Sequence, residues 1–177
     1  MAIISSRVVQ QHLQRSARAT TTTGKGRAFE DLICYVFGKI SGISVSRRNQ
    51  LNTFQTEEID IAFWNEQRPQ GLFFLPNIIL VECKNWSNAV GSAEVAWFDR
   101  KIQDRGLDFG ILVAVNGITG VAQDRTAAHA IVSGALSQRR RLIVIDQAEI
   151  VQLVKSGDLV RLVKTKLCDL AAAGTAI

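Results

Sequence analysis

Two stretches decide how this chain folds: Glu58-Ile59-Asp60-Ile61-Ala62-Phe63-Trp64 and Ile78-Ile79-Leu80-Val81-Glu82-Cys83-Lys84. In the first, Ile59, Ile61 and Phe63 alternate with Glu58, Asp60 and Ala62, the period of a strand with one buried face. The second is an apolar strand that ends in charge. Side chains two apart on a strand share a face, so Glu82 and Lys84 point the same way. Charge at the end of a buried strand needs a partner or a task. Between the two stretches, residues 65–76 carry both prolines, Pro69 and Pro76, and read as a turn or loop. If the strands pair as a hairpin, Asp60 comes beside Glu82.

Working outward, a helix is expected over 25–39. Ala28, Leu32, Val36 and Ile40 recur at helical spacing, with Phe29, Ile33 and Phe37 alongside and Gly42 as the stop. A short alternating strand over 43–47 follows. After Lys84 the pattern predicts a helix over 92–105 with Val95, Phe98 and Ile102 on one face. Next come an apolar strand over 109–115, an Ala-rich helix over 121–136 and a strand over 142–146. Asp146, three residues before Glu149, is positioned to cap a helix over 148–155, and a last helix spans 159–170. Three strands in succession suggest a meander. The later alternation of strand and helix implies parallel additions by crossover. The expected fold is therefore an α/β domain with a mixed β-sheet flanked by helices. Residues 1–24 are expected to form a basic, flexible N-terminal arm and 25–177 a single domain.

Composition narrows the function. A chain of 177 residues with 47% hydrophobic and 21% charged content suits one soluble domain. Its apolar runs are too short to span a bilayer, and Arg7, Gln10, Gln11 and His12 interrupt any secretory segment. Cys34, Cys83 and Cys168 are scattered and odd in number, which argues against a disulfide framework or zinc ribbon and for a reducing, cytoplasmic setting. With only His12 and His129, zinc hydrolase chemistry and His-based triads are disfavoured. The net charge is +5, and the five basic residues before Glu30, the first acidic one, account for all of it. Such an arm suits phosphate contact, or serves only solubility.

Two carboxylates as close as Asp60 and Glu82 repel unless a proton or a cation lies between them. Mg²⁺ prefers oxygen ligands, activates water and polarises a phosphoryl oxygen. Lys84 would then orient the water or offset transition-state charge. The plainer alternative is a surface ion pair between Glu82 and Lys84 at a strand end.

At these residues the chain resembles the PD-(D/E)xK restriction-endonuclease-like superfamily, and within it the Mrr-like branch. The resemblance rests on Gly26-Arg27-Ala28-Phe29-Glu30, Glu58-Ile59-Asp60-Ile61 and Val81-Glu82-Cys83-Lys84, and covers about residues 24–146. It implies a four-stranded mixed sheet flanked by helices and Mg²⁺-dependent cleavage of DNA phosphodiesters, with Mn²⁺ as a substitute. It also implies that Asp60 and Glu82 are metal ligands, joined by the Cys83 carbonyl, that Lys84 is the catalytic lysine, and that Glu30 reaches the metal or its water. Members often carry a Gln on the helix after this triplet. Here that helix has none until Gln103, and Glu94 is the candidate replacement. The proline of the motif is also missing, since Glu58-Ile59 precedes Asp60.

Arg27, Arg47, Arg48 and Trp86 are candidate DNA contacts, through phosphate grip or base stacking. The alternatives are solvated arginines and a tryptophan that covers the sheet end. Cutting both strands of a duplex needs two sites, so a homodimer is expected. The rival from another class is a non-catalytic DNA-binding or protein-interaction module that keeps the nuclease fold. A Rossmann-like nucleotide binder is weaker, because no glycine-rich turn follows the first strand.

Overall fold

A computed structural model describes residues 1–52, 57–121 and 126–175. In chain order the elements are α1 (Ser6–Arg18), α2 (Thr22–Phe37), β1 (Ile43–Leu51), β2 (Glu58–Asn65), β3 (Ile78–Lys84), α3 (Ser92–Asp104), β4 (Phe109–Ala114), α4 (Ala128–Ser137), β5 (Arg141–Asp146), α5 (Gln147–Val151) and α6 (Ser156–Ala173). One five-stranded sheet runs in the order β1-β2-β3-β4-β5. β1, β2 and β3 form the antiparallel meander, and β4 and β5 join in parallel. This is the mixed sheet flanked by helices, with one strand more than the four the resemblance implies.

The sheet is built from the inside out. All six residues of β4 are buried, as a central strand covered on both faces requires. Thr21 caps α2 by accepting a hydrogen bond from the Gly24 N–H. α2 lies on the face that carries Phe63, where Phe37 stacks at 5.1 Å between centroids. Glu82 points to the other face, because it is three residues from Ile79, the partner of Phe63. That face is covered by α3. Gly110 of β4 lets the helix come close, since a Cβ there would meet Phe98 and Ile102 at 2.8–3.0 Å. α4 packs on α3 and β5, and α6 on α2 and β5.

Several boundaries move. The stretch expected as a flexible arm is placed as a docked helix: Ile4 and Val9 are buried, and α1 packs along α2. The Ser5 N–H donates to the Tyr35 hydroxyl, and the Ile4 N–H to the Val154 carbonyl. α4 starts at Ala128 rather than at 121. Of the expected early turn, residues 122–125 lie outside the described residues, and Ala127 precedes the helix with φ 48°. α5 is shorter than expected but has the foreseen capping box between Asp146 and Glu149. Among the described residues, no helix is long and apolar enough to cross a membrane.

Candidate active site

The hairpin of β2 and β3 builds the site. Its register pairs Ile61 with Val81, and one step further along brings Asp60 beside Glu82. The Cys83 N–H donates to Asp60 Oδ2 at 2.7 Å, which fixes the carboxylate against β3. Glu82 is 3% exposed. Lys84 Nζ stands 2.9 Å from Glu82 Oε1. Lys101 Nζ, from α3, donates to both Glu82 oxygens at 2.8 and 3.0 Å and to the Glu58 carbonyl at 2.7 Å. Asp60, Glu82, Lys84 and Lys101 therefore form one cluster at the end of the hairpin.

Electrostatics follow from this crowding. Burial, and then the neighbouring Glu82 carboxylate, push the Asp60 carboxyl up to about 7, against the opposing pull of the Cys83 N–H, Lys84 and Lys101. Burial works against the Lys84 charge, but Glu82 and Asp60 hold its ammonium above the ordinary lysine value. The Cys83 thiol is pushed well above its usual range, by burial first and then by Asp60, Glu30 and Glu82. It stays neutral at ordinary pH, so only the carbonyl of Cys83 suits a hard cation.

The restriction endonuclease family model with the Mrr-type catalytic domain matches residues 22–162. The chain belongs to this Mrr-like restriction-endonuclease family. No curated protein matches it. Membership makes this a nuclease-type domain, in a family whose members generally act on DNA with a divalent metal. In the Mrr-like domain the match begins at α2 and takes in the whole sheet, leaving α1 outside.

The donor chemistry of the Mrr-like site fits such a metal. Asp60 makes one hydrogen bond among the described residues, through Oδ2, which leaves Oδ1 for a cation. Its pKa is raised by burial first and then by the Glu82 carboxylate, and a divalent ion would relieve that repulsion. The pair is nevertheless no ready-made cage. Among the described residues, no group of three or more His, Cys, Asp and Glu side chains is arranged to hold a metal ion.

Glu30 of α2 is buried but turned to other partners. Asn49 Nδ2 donates to its Oε2 at 3.0 Å, and Arg48 Nη2 at 3.2 Å. Asn49 has φ 47°, a left-handed backbone that Asn tolerates, at the site where its side chain meets Glu30. Arg48 also pairs with Asp31 at 2.7 Å, so this candidate phosphate contact is engaged inside the fold. Arg47 is exposed, with Nη1 donating to the Ser46 carbonyl, and Arg27 is exposed on α2. Trp86 is 41% exposed, and Lys84 Nζ lies 5.5 Å from its ring centroid.

Sequence reasoning missed Lys101. On α3 the residue that reaches the Glu82 carboxylate is this lysine, not Glu94. Its signal was available: it follows Phe98 by three and adjoins Ile102, so it borders the buried stripe of its helix.

Proposed function

We propose that this domain is a Mg²⁺-dependent endonuclease, with Mn²⁺ as a substitute, that hydrolyses DNA phosphodiester bonds. The observation that carries the reading is the convergence of Asp60, Glu82 and Lys84 beside an Asp60 oxygen that has no hydrogen-bond partner among the described residues. Asp60 and Glu82 hold the metal, with the Cys83 carbonyl as a further oxygen donor. A bound divalent ion supplies Lewis-acid polarisation of a phosphoryl oxygen and a more acidic water. Lys84, the more exposed of the two lysines on Glu82, turns its ammonium to the charge that develops on the phosphoryl group. Glu30, held by Arg48 and Asn49 and near enough to act on the Cys83 thiol, is the candidate to hold a water of the metal. Trp86, Arg27 and Arg47, all exposed, are the candidate contacts for the DNA strand. The setting is restriction of foreign DNA or DNA repair in the cytoplasm, as a homodimer where both strands are cut. The three cysteines, all free, suit that reducing compartment.

The test is conversion of supercoiled plasmid to nicked or linear form with Mg²⁺ or Mn²⁺. Cleavage should stop with EDTA and fall on the order of 100-fold or more in Glu82→Gln, as for loss of one group that stabilises transition-state charge. A wild-type protein inert on plasmid, branched and methylated DNA alike contradicts the proposal. One observation favours a second reading, a DNA-binding module without catalysis: two ammonium groups already occupy Glu82. That reading expects DNA binding indifferent to metal and to Glu82→Gln.

A further inference from the structure

Lys101 is a buried cation without a part in the reaction described above. Its side chain is 5% exposed, against 22% for Lys84. Three hydrogen bonds hold its Nζ, two to Glu82 and one to the Glu58 carbonyl. The helix behind it is pressed to the sheet at Gly110 by Phe98 and Ile102. Lys84 has room to leave Glu82 and follow a substrate. Lys101 does not. With Asp60 ionised, the charges around the hairpin end sum to zero, Asp60 and Glu82 against Lys84 and Lys101. Glu30 and Asp31 are likewise answered by Arg48 and Arg15.

We infer that Lys101 is the resident counter-cation of this centre, and that it makes tight metal binding depend on a polynucleotide phosphate. The inference rests on the reading of Asp60 and Glu82 as metal ligands. A divalent ion entering the free protein adds two positive charges to a balanced, largely buried cluster and competes with Lys101 for Glu82 oxygens. A DNA strand brings phosphate charges of its own. With phosphate present the metal has a surplus of negative charge to answer, and Lys101 keeps Glu82 in place for it. Lys101 is thus a positioning residue that suppresses metal loading in the absence of DNA.

The experiment is titration of the metal-free, full-length protein with Mn²⁺, followed by the electron paramagnetic resonance signal of the free ion. Wild type, Lys101→Met, Lys101→Arg and Asp60→Asn are compared, with folding checked by circular dichroism. Lys101→Met should bind Mn²⁺ on the order of tenfold more tightly than wild type, the effect of removing one nearby positive charge. Lys101→Arg should behave as wild type, and Asp60→Asn should show no site at all. Adding a phosphorothioate DNA duplex should tighten Mn²⁺ binding by wild type on the order of tenfold and by Lys101→Met much less. Equal or weaker Mn²⁺ binding by Lys101→Met overturns the inference and leaves the metal site standing. Absence of Asp60-dependent Mn²⁺ binding in every variant, with and without DNA, overturns both. Should Lys101→Met fail to fold, wild type with and without the duplex decides, and an unchanged Mn²⁺ affinity overturns the inference.

Discussion

Burial and the neighbouring Glu82 charge both hold the proton on Asp60, the reverse of the ordinary carboxylate case. Its carboxyl, about 7 in the fold against a reference of 3.8, binds a proton more readily folded than unfolded. Its contribution to stability is therefore whole below the unfolded value and is lost as pH rises through about 7. In EDTA, Asp60→Asn should melt higher than wild type near pH 8, and the gain should shrink toward about pH 5. A pH-independent difference in Tm would show that Asp60 is not under this strain. Glu82 and Lys84 were legible because they end an apolar strand in charge, and Asp60 because it lies on the polar face of the strand before. The place of Lys101 beside the buried stripe of its helix was legible too, but its partner was not, since the contact with Glu82 joins a helix to a strand 19 residues away. The partners of Arg48 were hidden for the same reason: nothing local to this β1 arginine tells that Glu30 and Asp31 of another element will pair with it.

The β2–β3 hairpin is the element on which the site depends, and a single buried amide organises its long connection. Asn65 is fully buried; its Nδ2 donates to the carbonyls of Leu72, Leu75 and Pro76, and its Oδ1 accepts from the Gln67 N–H. Asn65→Ala takes this partner from the Leu72 and Pro76 carbonyls and the Gln67 N–H, while the Leu75 carbonyl keeps Gln67 Nε2; it should cost about 2–3 kcal/mol, measured by urea unfolding. A cost below about 0.5 kcal/mol would mean the loop holds its own shape. Strands such as β3 and β4 were readable from apolar runs with sharp ends. The connection was readable only as a loop, because the order within it comes from long-range amide contacts. The start of α4 was misjudged since alanines on both sides of the polar residues 123–126 continue the pattern, and no Gly or Pro marks the turn before Ala128.

Across the whole molecule the mixed sheet followed from element order, since a meander followed by two crossovers admits few topologies. The docking of α1 did not follow, because its polar composition conceals two anchors. Ile4 and Val9 are each 2% exposed, and the Ala2, Ile4 and Ser156 backbones tie the N-terminus to the start of α6. Removing residues 1–18 should destabilise the rest by on the order of 3 kcal/mol, the burial lost at those two side chains, read as a lower Tm. An unchanged Tm would return the segment to the flexible arm its composition suggests. The central claim concerns the hairpin end, and its most direct test measures DNA binding and plasmid cleavage side by side for wild type, Asp60→Ala and Lys84→Ala with Mg²⁺. The expected result is metal-dependent cleavage by wild type and loss of cleavage in both variants, each still folded and still binding DNA. Cleavage that survives in either variant would place the chemistry elsewhere and contradict the account.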